Sequence, residues 1–244
     1  MHKFKLSMIF CTLAVTSSTA FAKSNFFDAP YFGVEAIQTN QNYKAGYGKD
    51  VFKKNTMNYN IFAGFKLVKF LGIEAGYEIQ PNATKLTQLV AGQSFPGSLP
   101  IEAGDTFLSN SSISGTHPYV GIFAEIDEKY ESWGNVKYQV MLGASFSNIK
   151  TSFMSLLEET PTQTTTTYGN ISGSKVIPVI KISATNAITN NFGIRVSIDY
   201  HNFASIKIQN VDNIVKLKDT FGIGLGLTYS FFVHKTTDIP VYYK

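Results

Sequence analysis

Apolar and polar residues alternate with a period of two along residues 58–80 of the chain. Ile61 and Phe65 belong to the apolar register of the first half, whereas Lys66 belongs to the polar one. Because successive side chains of a β-strand point to opposite faces, one face of this segment is apolar and the other is polar or small. The alternation stops at 68–70 and then resumes, so the segment is predicted to form a β-hairpin.

The same alternation recurs along the rest of the chain and predicts eight strands in total. A bilayer is crossed by tilted strands of about 9–11 residues, which most of these segments approach. No charged residue occupies their apolar register. The segments lie at about 32–36, 57–67, 71–80, 120–127, 136–147, 176–185, 192–201 and 221–231. Outside them, a short helical piece is expected near Lys85–Ala91.

The predicted connections alternate between short and long. Those after the second, fourth and sixth strands are short, at about 68–70, 128–135 and 188–191. Those after the first, third, fifth and seventh strands are long, at about 40–55, 81–116, 149–174 and 203–219. Outer-membrane barrels show this asymmetry, with short periplasmic turns and long external loops.

The character of the two faces decides between a membrane barrel and a soluble fold. A soluble lipocalin-like barrel or a β-sandwich also alternates, but it packs its apolar face inward. Here the polar face is rich in glycine and carries both acidic and basic residues. Aromatic residues lie at the strand ends, as in the girdles of membrane barrels. The sequence therefore predicts an all-β fold, an eight-stranded antiparallel up-and-down transmembrane β-barrel, closed because lipid tolerates no unpaired strand edge.

The polar register predicts what fills the barrel. Eight strands enclose a space just wide enough for side chains, and buried charges persist only when they are paired. The predicted lumen charge network consists of Glu35, Lys66, Glu74, Glu78, Glu125, Asp127, Lys137, Lys181, Arg195, Asp199 and His201. Acids and bases nearly balance in this set, which favours a filled, non-conducting lumen. A small-solute porin, which needs a water-filled lumen, is the alternative.

The N-terminal residues are typical of a leader for export. A basic start, the apolar stretch LSMIFCTLAV and the small-x-small sequence ending at Ala22 predict a signal peptide over 1–22, a barrel over 23–232 and a short periplasmic tail over 233–244. The only cysteine, Cys11, lies in the leader, so no disulfide is expected. The chain has 21 Lys and Arg residues, of which Lys3 and Lys5 belong to the leader. The other 19 are nearly balanced by 17 acidic residues, and this small net charge argues against nucleic acid as a partner.

Three stretches resemble a known family. FAGFKLVKFLGIEAGYE resembles the second hairpin of the OmpA-type, opacity-like outer-membrane β-barrel domain, and APYFGVEA resembles its first strand. FGIGLGLTYSF resembles the closing strand of that family, in which Tyr229 and Phe231 would form the assembly signal. The resemblance covers about residues 28–232, and it implies a bacterial outer-membrane location and recognition by the outer-membrane assembly machinery.

Candidate chemistry is sparse. The histidines, at 2, 117, 201 and 234, have no ligand spacing, so the sequence predicts no metal site and no cofactor. Asp199 and His201 share one face of a strand, and Ser145 and Ser147 share one face of another, which leaves a lipid A-modifying enzyme as a second alternative. The apolar face offers no histidine or acid to lipid, so the protein is predicted not to be an enzyme.

The first long connection suggests a surface role. Lys44, Lys49, Lys53 and Lys54 could contact lipopolysaccharide phosphates or anionic host glycans. The expected role is therefore structural or surface interaction, such as adhesion or host contact, through four long external loops. The expected partners are outer-membrane lipid, lipopolysaccharide and host surface molecules.

Overall fold

The computed structural model describes residues 30–43, 52–90, 106–130, 134–159, 163–189, 191–210 and 213–231. They form eight strands: β1 (Tyr31–Tyr43), β2 (Asn55–Val68), β3 (Leu71–Val90), β4 (Thr106–Tyr130), β5 (Gly134–Glu159), β6 (Gln163–Ala187), β7 (Phe192–Asn210) and β8 (Asn213–Ser230). Within these ranges, no helix has the length and apolar character needed to traverse a bilayer. The predicted leader and the C-terminal tail lie outside the described residues.

The strands close into a barrel. Each strand pairs antiparallel with the next, and β1 pairs with β8, where Tyr31 lies opposite Ser230. On its other side, Tyr31 lies opposite Gly64 of β2. Every strand therefore has two hydrogen-bonded neighbours, and the prediction of an all-β, eight-stranded antiparallel up-and-down barrel is confirmed.

Most strands are longer than the sequence pattern predicts, and β4, β5 and β6 contain 25, 26 and 25 residues. The long loop predicted over 81–116 is shortened to 91–105. The prediction of long loops over 149–174 and 203–219 is wrong, because the β5–β6 ladder continues to Glu159 opposite Gln163 and the β7–β8 ladder to Asn210 opposite Asn213. The expected helical piece near Lys85–Ala91 is also wrong, since Lys85 pairs with Ser111 of β4.

The extensions escaped prediction because an outward apolar register no longer alternates there with an inward polar one: β4 and β6 continue with many Ser, Thr and Asn residues, and buried positions such as Ile113 and Ile149 are apolar. Without the contrast expected of a membrane-facing strand, the period of two is hard to recognise in the sequence, although the backbone ladder needs no such contrast. The connections between β1 and β2 and between β3 and β4 span 44–54 and 91–105, whereas those of β5–β6 and β7–β8 span only 160–162 and 211–212. Four long external loops are thus reduced to two.

The outer face of the barrel is apolar. Side chains alternate between buried and exposed positions along β1 and, as far as Leu67, along β2. On other strands, the exposed apolar residues include Ile122 at 61%, Leu142 at 62% and Leu225 at 63%. Burying one such side chain stabilises by roughly 1.5–3 kcal/mol, so a continuous belt of them is unfavourable in water. A soluble sandwich or lipocalin-like barrel would have this register inside, whereas here it lies outside.

Two ends of the barrel can be distinguished. We call proximal the end with Pro30, Phe231 and the turns at 69–70, 131–133 and 188–191, and distal the opposite end. At the proximal end, the ring of Tyr229 packs against Phe32, Phe192 and Phe231 at centroid distances of 5.5, 5.0 and 5.3 Å. Such aromatic girdles are typical of a membrane interface.

Candidate functional site: the barrel lumen

The proximal part of the lumen holds one carboxylate between two ammonium groups. Glu125 of β4 contacts Lys66 of β2, and its other oxygen lies 3.4 Å from the Nζ of Lys137 of β5. Lys66 also lies 3.7 Å from Asp127, whose side chain is 45% exposed at the rim. Both lysines and Glu125 are buried, so these contacts offset the cost of removing their charges from water.

The middle of the lumen is organised around Arg195 of β7, which is 1% exposed. Its guanidinium donates to both oxygens of Glu74 at 2.7 and 3.3 Å, and its Nε lies 3.7 Å from Glu35. Lys181 of β6 donates to the second oxygen of Glu35 at 2.5 Å. These groups come from β1, β3, β6 and β7, so the ion pairs tie together opposite walls of the barrel.

Neutral side chains complete this network. The hydroxyls of Tyr31 and Tyr119 donate to the two oxygens of Glu74 at 2.8 and 3.1 Å. The amide of Asn60 donates to Glu35 at 3.1 Å. Glu74 therefore accepts four hydrogen bonds, which is what a buried carboxylate requires.

Aromatic and apolar residues fill the space between the charges. The inward cluster consists of Tyr31, Phe62, Tyr119, Phe123, Met141 and Val179. The guanidinium of Arg195 lies 4.4 Å above the Phe62 ring and the Nζ of Lys137 lies 4.6 Å from the Tyr31 ring, both within cation–π distance.

Inward-facing glycines make room for these rings. A Cβ on Gly33 would lie 2.4 Å from a ring atom of Phe62, and a Cβ on Gly64 would lie 2.5 Å from Tyr31. Gly72 and Gly76 make room in the same way for the rings of Phe123 and Tyr119.

A second polar group lies farther toward the distal end. The Nε2 of His201 lies 3.3 Å from Asp199 on the same strand and 3.5 Å from Glu78 of β3. Next to it, the Nδ1 of His117 and the Oγ of Ser147 are hydrogen-bonded at 2.5 Å. All five residues are buried.

Apolar residues cover this group at the distal end. The cluster consists of Tyr43, Phe52, Ile113, Ile149, Ile177, Phe203 and Leu217. At the other end, the cavity bordered by Tyr31, Lys137, Gln139 and Arg195 measures about 10 Å³, room for about one water molecule. Over the described residues, the lumen is packed with side chains.

Ten of the eleven predicted network residues are buried in the lumen, and the structure brings them together as two groups. Asp127 differs, because its strand position lies at the rim, where the side chain is exposed. Lys53 and Lys54 are exposed just before β2. Lys44 and Lys49 lie outside the described residues.

Sequence reasoning missed much of the interior. Phe62, Phe123 and Met141 share the inward register with the charged residues, so parity alone could have placed them. Ile177 and Val179 disturbed the alternation of β6 because both of its faces are apolar there. His117 lies before the predicted start of β4, so no pattern assigned it to the barrel.

The arrangement does not form a catalytic triad. Ser147 contacts His117, whereas Asp199 contacts His201, and the two imidazole centroids are 6.0 Å apart. Ser145 donates to the carbonyl of Pro118 at 3.0 Å. No described serine therefore contacts a histidine that is itself oriented by a carboxylate.

Comparison with known proteins gives fold neighbours but no family. No protein-family model and no curated protein matches the chain. Ail, the attachment invasion locus protein of Yersinia pestis, is 16% identical over 83% of this chain and 97% of that chain, with a TM-score of 0.41. Neisserial surface protein A is 12% identical over 83% and 97%, with a TM-score of 0.42. CarO of Acinetobacter baumannii is 10% identical over 82% and 97%, with a TM-score of 0.39.

With TM-scores below 0.5, these similarities transfer no function to this chain, and the barrel rests on its own strand pairing. The resemblance to the OmpA-type family stays a prediction.

Proposed function

We propose that this protein is a non-conducting bacterial outer-membrane barrel that serves as a structural anchor for a distal surface. The filled lumen is the observation that carries the proposal. Ion pairs occupy the middle of the barrel and the distal apolar cluster covers them, so a hydrated solute has no path between the described side chains. The apolar outer belt matches the hydrocarbon of a membrane.

The long strands supply the surface. On β4 and β5 the exposed apolar residues extend over Val120–Ile126 and Val140–Phe146, whereas the strands continue distally to Thr106 and Glu159. At about 3.3 Å per residue, a dozen further residues extend roughly 40 Å along the strand. β3 to β6 therefore form a ribbon of paired strands beyond the belt, and this ribbon is the surface through which we propose the protein contacts its surroundings.

Basic residues indicate the class of ligand. Lys53 and Lys54 are exposed just before β2, and Lys150 and Lys175 are exposed on β5 and β6 beyond the apolar belt. Phosphates of lipopolysaccharide and anionic glycans of a host surface carry the complementary charge. The predicted contacts of Lys44 and Lys49 belong to the same proposal.

Conductance in planar bilayers tests the filled lumen. The purified barrel is expected to insert without discrete channel openings, with an established channel protein as the positive control in the same bilayers. Reproducible discrete openings would overturn the non-conducting assignment and favour the porin alternative.

Trimming the ribbon tests the surface role. Residues 151–171 are replaced by Asn-Gly, which joins Lys150 to its partner Ser172 by a two-residue turn. Because the deleted segment contains no basic residue, Lys53, Lys54, Lys150 and Lys175 are replaced by Gln in the same chain. Because the deletion lies outside the apolar belt, the variant is expected to keep the heat-modifiable gel mobility of a folded barrel and to lose binding to lipopolysaccharide or host cells. Unchanged binding by a folded variant would contradict the proposal.

A further inference from the structure

Glu78, Asp199 and His201 form a compact group that the ion-pair network does not explain. Glu78 belongs to β3, and Asp199 and His201 are alternate residues of β7, so they share its inward face. One potential ligand atom from each of the three residues lies within 4.8 Å of the others. The residues are 3%, 2% and 3% exposed.

Charge balance sets this group apart. The other ion pairs of the described lumen join four acids and four bases, Glu35, Glu74, Glu125 and Asp127 with Lys66, Lys137, Lys181 and Arg195. That set is neutral when Asp127 at the exposed rim is counted. Two carboxylates are left in the second group, with one imidazole as their only ion-pair partner among the described residues. With a neutral imidazole, no ion pair within the group neutralises these two negative charges, and a divalent cation would do so.

Asp199 provides independent evidence for a ligand. Its Oδ2 contacts only His201, at 3.3 Å, and its Oδ1 has no hydrogen-bond partner among the described residues, although the side chain is buried. An unsatisfied buried carboxylate is strongly unfavourable. Gly222 of β8 leaves the space that this carboxylate occupies, because a Cβ there would lie 2.5 Å from Oδ1.

The two distances from His201 are compatible with ligands that share one metal ion. The separations of 3.3 and 3.5 Å from the Nε2 of His201 to the two carboxylates exceed the usual 2.7–3.2 Å of a hydrogen bond. A tetrahedral ion with bonds of about 2.0–2.2 Å holds its ligand atoms about 3.3–3.6 Å apart.

Neighbouring residues hold the ligands in place. Asn58 donates to Oε1 of Glu78 at 2.6 Å, while Oε2 faces His201. The ring of Phe203 stacks on the imidazole of His201 at 6.2 Å. Partners of this kind orient metal ligands in proteins.

We propose that Glu78, Asp199 and His201 bind one divalent transition-metal ion of the Zn²⁺ type inside the lumen. Two carboxylates and an imidazole suit Zn²⁺, Mn²⁺ or Fe²⁺. Since β3 and β7 are not paired in the sheet, the ion would join opposite walls of the barrel. This inference is independent of the proposed surface role.

Metal content of the full mature chain without an affinity tag tests the site. Because the distal cluster covers the ligands, the protein is refolded in detergent with Zn²⁺ and then dialysed against a chelator. About one bound Zn²⁺ per wild-type barrel is expected. The variants Glu78→Gln, Asp199→Asn and His201→Gln are each expected to bind at least tenfold less, whereas Asp127→Asn, a carboxylate at the exposed rim, retains the ion.

Thermal stability gives a second readout. Zn²⁺ is expected to raise the unfolding temperature of the wild type and of Asp127→Asn, and to leave that of folded Asp199→Asn unchanged. The Co²⁺ absorption spectrum of the wild type needs no variant and is expected to show a low-coordinate site. Failure of the wild type to retain Zn²⁺, Mn²⁺ or Co²⁺, or equal retention by wild type and Asp199→Asn, would overturn the proposal.

Discussion

At the scale of single residues, Arg195 joins the ionic and aromatic parts of the lumen. It pairs with Glu74 and Glu35 and lies over the ring of Phe62. A buried charge of this kind is tolerated because it neutralises the buried charges of its partners. Its removal therefore leaves several side chains without a counter-charge.

Replacing Arg195 with Met is expected to destabilise the folded barrel by about 3–5 kcal/mol, because Glu74 loses two of its hydrogen bonds and an opposite charge. Urea unfolding in lipid vesicles measures the loss. Adding Glu74→Met to the same chain is expected to recover part of it, since the orphaned carboxylate is then gone.

Lys53→Met, at an exposed position, serves as the matched loss of a positive charge and is expected to change stability by no more than about 0.5 kcal/mol. A similarly small effect of Arg195→Met would mean that the lumen network does not hold the barrel together.

At the scale of elements, the closure between β8 and β1 is reinforced from outside. Tyr229 lies opposite Phe32 in the register and packs on Phe192 of β7, so one side chain links three strands. This position also belongs to the predicted assembly signal, which the structure leaves as a prediction.

Tyr229→Ala is expected to lower stability by about 1–3 kcal/mol, because three ring contacts are lost at the strand that closes the barrel. The temperature at which gel mobility changes reports the effect.

The control is Phe70→Ala, a residue that is 58% exposed in the 69–70 turn and has no ring contact among the described residues. Equal losses for the two variants would show that the aromatic cluster adds nothing beyond burial in the interface.

At the scale of the whole molecule, the structure has an apolar outside and an ionic, densely packed inside. This is the reverse of a soluble globular protein. The arrangement is stable where lipid covers the belt and the buried charges pair with one another.

The mature protein is therefore expected to stay with the membrane fraction after a carbonate wash, and to show a heat-dependent shift in gel mobility after detergent extraction. A peripheral membrane protein is the comparison and is expected to be released. Recovery of the chain in the carbonate supernatant, dispersed without detergent, would contradict a membrane-embedded barrel.

The sequence by itself determined the lipid-facing part of every strand. Where one face of a strand meets lipid and the other meets the lumen, apolar and polar residues must alternate. Ile61 belongs to the apolar register and Lys66 to the polar one. That contrast also determined the inward side of Glu74 and Arg195. It disappears beyond the apolar belt, so the distal extension of β5 and β6 was not predictable and was taken for a loop.

Only the tertiary structure decided which charges meet. Glu78 and His201 are more than a hundred residues apart, on strands that are not neighbours in the sheet, and their contact depends on the closure and stagger of the barrel. The same holds for the separation of the lumen into a neutral ion-pair network and a group rich in carboxylates. Residue spacing encodes the side to which a group points, whereas its partners across the lumen follow from three-dimensional packing.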